Sequence, residues 1–438
     1  MRRSIMVLGR MVLAAMAIAG RVSYGEEGAT TFFPSGFVSL REGQIVKGEP
    51  ERIQTTASNE HVWVQEMIAG FNVKMKLANL PAQGNLGMEM SVNNDNSSYP
   101  SDFGQSRRLN FYPYLSRADL VYSFGSEENP GIVLDAGYFP FKYNNSVRNL
   151  GEYLFRSGTY PQYLITDFDF PMARLLGLHL SGPLGASIQW DVLATTNTEW
   201  RAIGDLNVTG LFTWKPLPLF ELGLGGSWCS ALSVNWDNAT PPVSGNDYVY
   251  DSAVYYYTVA GPKVMGRFTL DFKQLFPQND LFGEQDLKLY SEAAILGLFN
   301  YPMSVDSFTQ YDTLWQRIPI MVGFNFPTFK FMDVFNAEVE WFGNPYPNSI
   351  NSMKFENQPI PLSSSTGEKS KVNLNNHFDD WKWSVYGKKT FADHFNITFQ
   401  FARDHMRWFR LDYTKADGME ALRRNDEWYY TFKLGYTF

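Results

Sequence analysis

The chain has 438 residues and a single cysteine, Cys229, which excludes an internal disulfide. Its net charge of −8 argues against nucleic acid as a partner. No apolar block reaches the roughly 18 residues a membrane-crossing helix needs. Aromatics make up 16% of the residues, interleaved with polar ones.

Residues 1–25 have the form of a secretory signal peptide. Arg2 and Arg3 precede the apolar run from Met11 to Gly20. Ser23 and Gly25 fit the positions before a cleavage site, with Ala19 as another candidate. No cysteine follows to carry a lipid anchor. This leaves 26–438 as one domain outside the cytoplasm.

From there the chain runs in segments of alternating character. Strands are expected at 36–47, 61–77, 85–92, 117–124, 132–141, 174–181, 184–195, 203–215, 219–230, 255–272, 284–298, 315–326, 334–342, 381–389, 395–406 and 428–438. Short linkers follow even-numbered strands and long polar stretches follow odd-numbered ones; 273–283 is the exception, long where a short turn is due. Within a strand one face is apolar and the other polar. In 69–77, Phe71, Val73 and Met75 oppose Asn72, Lys74 and Lys76. A soluble sandwich would show the same alternation, but about 16 long strands with a polar face throughout do not pack as a soluble core. Trp and Tyr recur at strand ends, as at a membrane interface. In lipid such a sheet must close. The expected fold is all-β: a transmembrane antiparallel β-barrel of about 16 strands, with 14–18 allowed.

The faces assigned to the lumen lean acidic. They carry Glu66, Glu89, Asp119, Asp135, Asp191, Asp205, Glu221, Asp271, Asp286, Glu292, Glu338 and Glu340. Against these stand Lys74, Lys76, Arg267, Lys288, Lys382 and Lys388.

The third long loop, 143–172, differs from the others. Leu150, Tyr153, Leu154 and Phe155 have near-helical spacing, with Ser146 or Asn149 as a cap. A loop with its own apolar face needs a surface, and the inner wall of a wide barrel supplies one. The loop is therefore expected to fold inward and narrow the lumen. Lys142, Arg148 and Arg156, with Glu152 among them, would be the charges at the constriction. Asp135 and Asp191 are the wall carboxylates that Arg148 and Arg156 would bind.

Alternating segments, an inserted third external loop and a terminal Phe438 together resemble the Gram-negative outer-membrane porins. The run "DAGYFPFKYNNSVRNLGEYLFRS" (135–157) is similar to the strand-to-loop junction of phosphate-selective porins. That type lines its pore with lysines and arginines, so its selectivity is not carried over. The resemblance implies a passive channel for small hydrophilic solutes or ions, embedded in outer-membrane lipid, with no cofactor. Three copies could associate. Leu434, Tyr436 and Phe438 resemble the signal by which the outer-membrane assembly machinery recognises its clients. The alternative is an adhesin or receptor barrel acting through its long loops, where Trp236, Tyr248, Tyr250 and Tyr346 would suit sugar or partner contact.

Catalytic and metal patterns do not emerge. His61, His179, His377, His394 and His405 have no metal spacing. Asp404 beside His405 could be imagined as a rim hydrolase, but a solvated pair is the simpler account. The oxygen-rich 93–98 and Asp379–Asp380 fit solvated loops better than calcium sites.

Overall fold

The computed structural model describes residues 30–47, 63–78, 80–94, 109–125, 130–155, 173–196, 205–232, 247–250, 253–256, 261–277, 279–298, 302–304, 307–310, 314–343, 381–405, 422 and 426–438. The expected leader lies outside them, as do Arg156 and 233–246 and 344–380 of the long loops.

Sixteen strands form one closed antiparallel sheet. They are β1 Thr31–Lys47, β2 Trp63–Lys76, β3 Ala82–Asn94, β4 Leu109–Gly125, β5 Pro130–Phe141, β6 Ala173–Pro183, β7 Ile188–Thr196 and β8 Leu206–Leu217. The second half comprises β9 Phe220–Leu232, β10 Gly261–Asp271, β11 Lys288–Ile295, β12 Ile320–Asn325, β13 Val334–Trp341, β14 Trp381–Phe391, β15 Phe395–Arg403 and β16 Trp428–Thr437. Each strand pairs with its sequence neighbours, and β1 closes the ring on β16. There Leu40 faces Leu434 and Arg41 faces Lys433. Gly36 and Phe438 exchange both backbone hydrogen bonds at 2.9 Å.

Every expected strand has a counterpart, with shifted ends. Strand β4 begins at Leu109, not 117, and takes up the last eight residues of what looked like loop. Pro113 hid it, because proline donates no ladder bond. It is tolerated here opposite Met90, and the pairing with β3 is offset by a bulge at Gly87/Met88. Strand β12 is shorter than expected, preceded by a 3-10 turn at Leu314–Arg317. The long connection between β10 and β11 contains two more, Phe272–Leu275 and Asn279–Leu281. Two small hairpins, Asp247–Tyr250 with Ala253–Tyr256 and Pro302–Ser304 with Ser307–Gln310, stand apart from the barrel.

Period-2 alternation sets the two faces of the closed sheet. Phe71, Leu86, Leu120, Leu178, Phe212 and Leu434 are exposed on the outer face. The opposite face is polar. One cross-strand row runs Arg267, Glu292, Met321, Glu340, Lys382 over β10 to β14, all of it buried inside. No described helix is long and apolar enough to cross a membrane, and a barrel crosses with strands instead.

Candidate functional site

After Phe141 the chain leaves β5 and packs against the inner wall. Val147, Leu150 and Tyr153 have no exposed surface, and Tyr143 and Leu154 are nearly as buried. They form one apolar cluster with Leu193 of β7, Leu211 of β8, Met265 of β10, Tyr290 and Ala294 of β11, and Met321 of β12. These wall residues lie on rows that are otherwise polar, and that irregularity was the one sequence signal for where the loop docks.

The loop is fastened by carboxylates of the wall. Glu338 Oε1 accepts the Arg148 N–H (2.6 Å) and the Tyr290 hydroxyl (2.7 Å). Its Oε2 accepts the N–H groups of Asn149 and Leu150, both at 2.8 Å. Glu292 accepts the Tyr143 hydroxyl (2.5 Å), the Tyr153 N–H (2.8 Å) and the Asn144 amide (2.9 Å). Glu340 takes the Tyr153 hydroxyl at 2.7 Å and stands 2.6 Å from His405 Nε2. Asp404 accepts from the Asn149 amide (2.5 Å) and the Tyr429 hydroxyl (2.6 Å). Asp404 and His405 are thus buried under the loop rather than solvated at a rim.

The expected short helix is absent: residues 142–155 form turns and bends. Wall carboxylates take the backbone N–H groups that i−4 carbonyls would accept in a helix. Gly151 and Glu152 also have positive φ, 91° and 61°. A Cβ on Gly151 would sit 2.8 Å from Met321 Cε and 3.1 Å from Val147. The φ of 91° favours glycine at this position, whereas Met321 Cε, at the end of a flexible side chain, could shift.

The other candidate residues are distributed as follows. Glu152 accepts the Asn144 N–H within the loop at 2.6 Å. The Lys142 ammonium donates to the Val147 carbonyl at 2.9 Å. Arg148 presents its backbone to Glu338, while its guanidinium reaches Gln285 at 3.3 Å. It does not bridge Asp135 or Asp191. Asp191 meets His179 at 2.9 Å, and Asp135 is paired with His179 in the β5–β6 register. Lys142, Asp191 and Glu221 line one cavity of about 280 Å³ beside the loop, with Arg267 at its wall. Glu221 is bridged by Arg267 at 2.6 Å. Lys74 and Lys76 are exposed on β2, and Asp205 is buried just before β8. Asp286 is not on a strand. It accepts the Gly283 N–H within the β10–β11 connection and fastens that connection to the β12–β13 one through the Thr328 hydroxyl and Phe329 N–H. Leu434 and Tyr436 are exposed on the outer face of β16.

The inner wall also carries cations beyond those expected: Arg41, Arg117, Lys263 and Lys433 share the inward rows. Arg117 forks onto Asp119, which also takes the Asn85 amide at 2.7 Å. Cations and carboxylates therefore interleave. Among the described residues no cluster of His, Cys, Asp and Glu could hold a metal ion.

No family model and no curated protein matches the sequence. Solved structures do. A mutant of the Rhodopseudomonas blastica porin aligns over 93% of this chain and 100% of its own, at 7% identity and TM-score 0.48. OmpF of Salmonella typhi, in complex with daunomycin, aligns over 95% and 99%, at 8% identity and TM-score 0.47. The outer membrane channel DcaP of Acinetobacter baumannii gives the same coverage at 9% identity and TM-score 0.46.

Proposed function

We propose that this protein is a passive diffusion channel for small hydrophilic solutes or ions in a bacterial outer membrane, narrowed by the loop after β5. The observation that carries this is the clamping of residues 143–153 to the inner wall by Glu292, Glu338 and Glu340. An apolar outside suits lipid, and a charged inside suits water. A segment fixed inside such a wall sets the width and charge of what passes. The Asp404–His405 pair is consistent with this, since its polar atoms are used to hold Asn149, Tyr429 and Glu340.

Purified protein reconstituted in planar bilayers should give stable single-channel steps. Removal of residues 148–156 should enlarge them. A folded barrel with no conductance would falsify the channel assignment. Unchanged steps after the deletion would place the loop outside the narrowest point.

A further inference from the structure

Arg148 is only 9% exposed, and its Nε is buried with no hydrogen-bond partner among the described residues. Among these its guanidinium makes one bond, from Nη2 to Gln285 Oε1 at 3.3 Å. Lys288 Nζ reaches the same oxygen at 3.2 Å. The β10–β11 register places Lys288 opposite Asp271, on the inward row that continues to Tyr290 and Glu292. Among the described residues neither cation has an ion-pair partner. Asp271 and Glu284 are near Lys288 but neither pairs with it, and Asp271 Oδ1 is buried without a hydrogen-bond partner among the described residues. Asp271 holds Lys273 at 2.8 Å, and Glu338 holds the loop backbone. Two cations therefore converge on one neutral amide oxygen, through long bonds. A buried guanidinium is costly without a counter-charge, and here the position between the two charges is filled by an uncharged acceptor.

We infer that Arg148 and Lys288 form a binding site for the carboxylate of a small solute on the inner wall. One carboxylate oxygen takes the position now held by Gln285 Oε1, between the two cations. The second lies along the guanidinium edge toward Nε, whose N–H is unused. Two parallel donors on that edge match a planar two-oxygen anion. Gln285 can rotate and offer its NH2 group to the same anion. Two cations, with Asp271 and Glu284 in the neighbourhood, favour a single negative charge over a doubly charged anion. The inference rests on the channel assignment only for access, because the anion reaches the site from a water-filled lumen.

The test uses the whole barrel in detergent and reads thermal unfolding, which does not require conduction. At fixed ionic strength, replacing chloride by acetate should raise the unfolding temperature saturably, and neutral acetamide should not. Lys288→Gln should weaken the half-saturating acetate concentration by roughly tenfold or more; Lys288→Arg should keep it. The Lys288 variants decide the matter, because Arg148→Gln could free the loop. Absence of an acetate effect, an equal effect in Lys288→Gln, or a stronger effect of inorganic phosphate than of acetate would each overturn the carboxylate site. An acetate effect in a barrel that conducts nothing in bilayers would support the site while removing the channel assignment.

Discussion

Glu338 has no exposed surface, and its two oxygens collect five donors: three loop N–H groups, one tyrosine hydroxyl and, at 3.4 Å, the Asn336 amide. In Glu338→Gln one oxygen becomes an NH2 group. Whichever oxygen is lost, at least two donors face another donor. A buried donor left unsatisfied costs about 1–3 kcal/mol, so the loop should loosen by about 3 kcal/mol. Arg148, buried in the wild type, would then be open to trypsin; continued protection would mean the latch lies elsewhere. Asp404 supplies a pH test. It lies just past β15, and burial raises its carboxyl above 3.8, against hydrogen bonds from Tyr429 and Asn149 and the charges of His405 and Lys382. The folded state therefore keeps a proton that the unfolded state releases at about pH 4. Stability that is present at lower pH is lost as pH rises through the raised value. Asp404→Asn removes this dependence while keeping an acceptor oxygen for Tyr429 and Asn149. The variant should gain on the wild type as pH rises above about 4, measured by urea unfolding in detergent. A gain at the acid end instead would refute the sign.

At the scale of elements, β5 and β6 meet at a pair of glycines. Gly137 and Gly177 are directly opposed, with φ of 132° and 157°. A Cβ on Gly137 would run into the Ala118 carbonyl oxygen and sit 2.9 Å from Asp119 Cα on β4. Backbone on a neighbouring strand cannot move aside without opening the ladder. Gly137→Ala should therefore destabilise the barrel by about 2 kcal/mol, seen as an earlier heat-induced shift in gel mobility. An unchanged midpoint would show that β4 and β5 have slack. The strands themselves were legible because period 2 and the alternation of short and long connections are both local properties. Where Pro113 broke the pattern, half of β4 was missed. Periodicity says which residues of one strand share a face, but not which rows of distant strands meet. That is why the loop was expected to hold Asp135 and Asp191 through its arginines. In the structure the wall's glutamates reach into the loop's backbone instead. The apolar residues Leu193, Leu211, Met265 and Met321, each on a polar row, marked the docking surface, and only the closed ring brings them together.

At the scale of the whole molecule, a buried apolar cluster among the described residues lies inside the barrel, not between layers of sheet. It joins residues that follow β5 to β7, β8, β10, β11 and β12. The loop is therefore a cross-brace as well as the proposed constriction. Strand pairing closes the ring through β1 and β16, while the brace ties one wall to the other through packing. Leu150, with no exposed surface, lies within that brace. Leu150→Ala leaves every latch donor in place, because the Leu150 contact with Glu338 is a backbone N–H. What it removes is side-chain packing, worth about 2–5 kcal/mol at a fully buried leucine. If the brace supports the ring, the variant barrel should unfold several degrees lower in the gel-mobility assay, together with greater current noise in bilayers. Noise alone, with unfolding unchanged, would mean that the ring stands without its brace and that the cluster serves only to hold the loop.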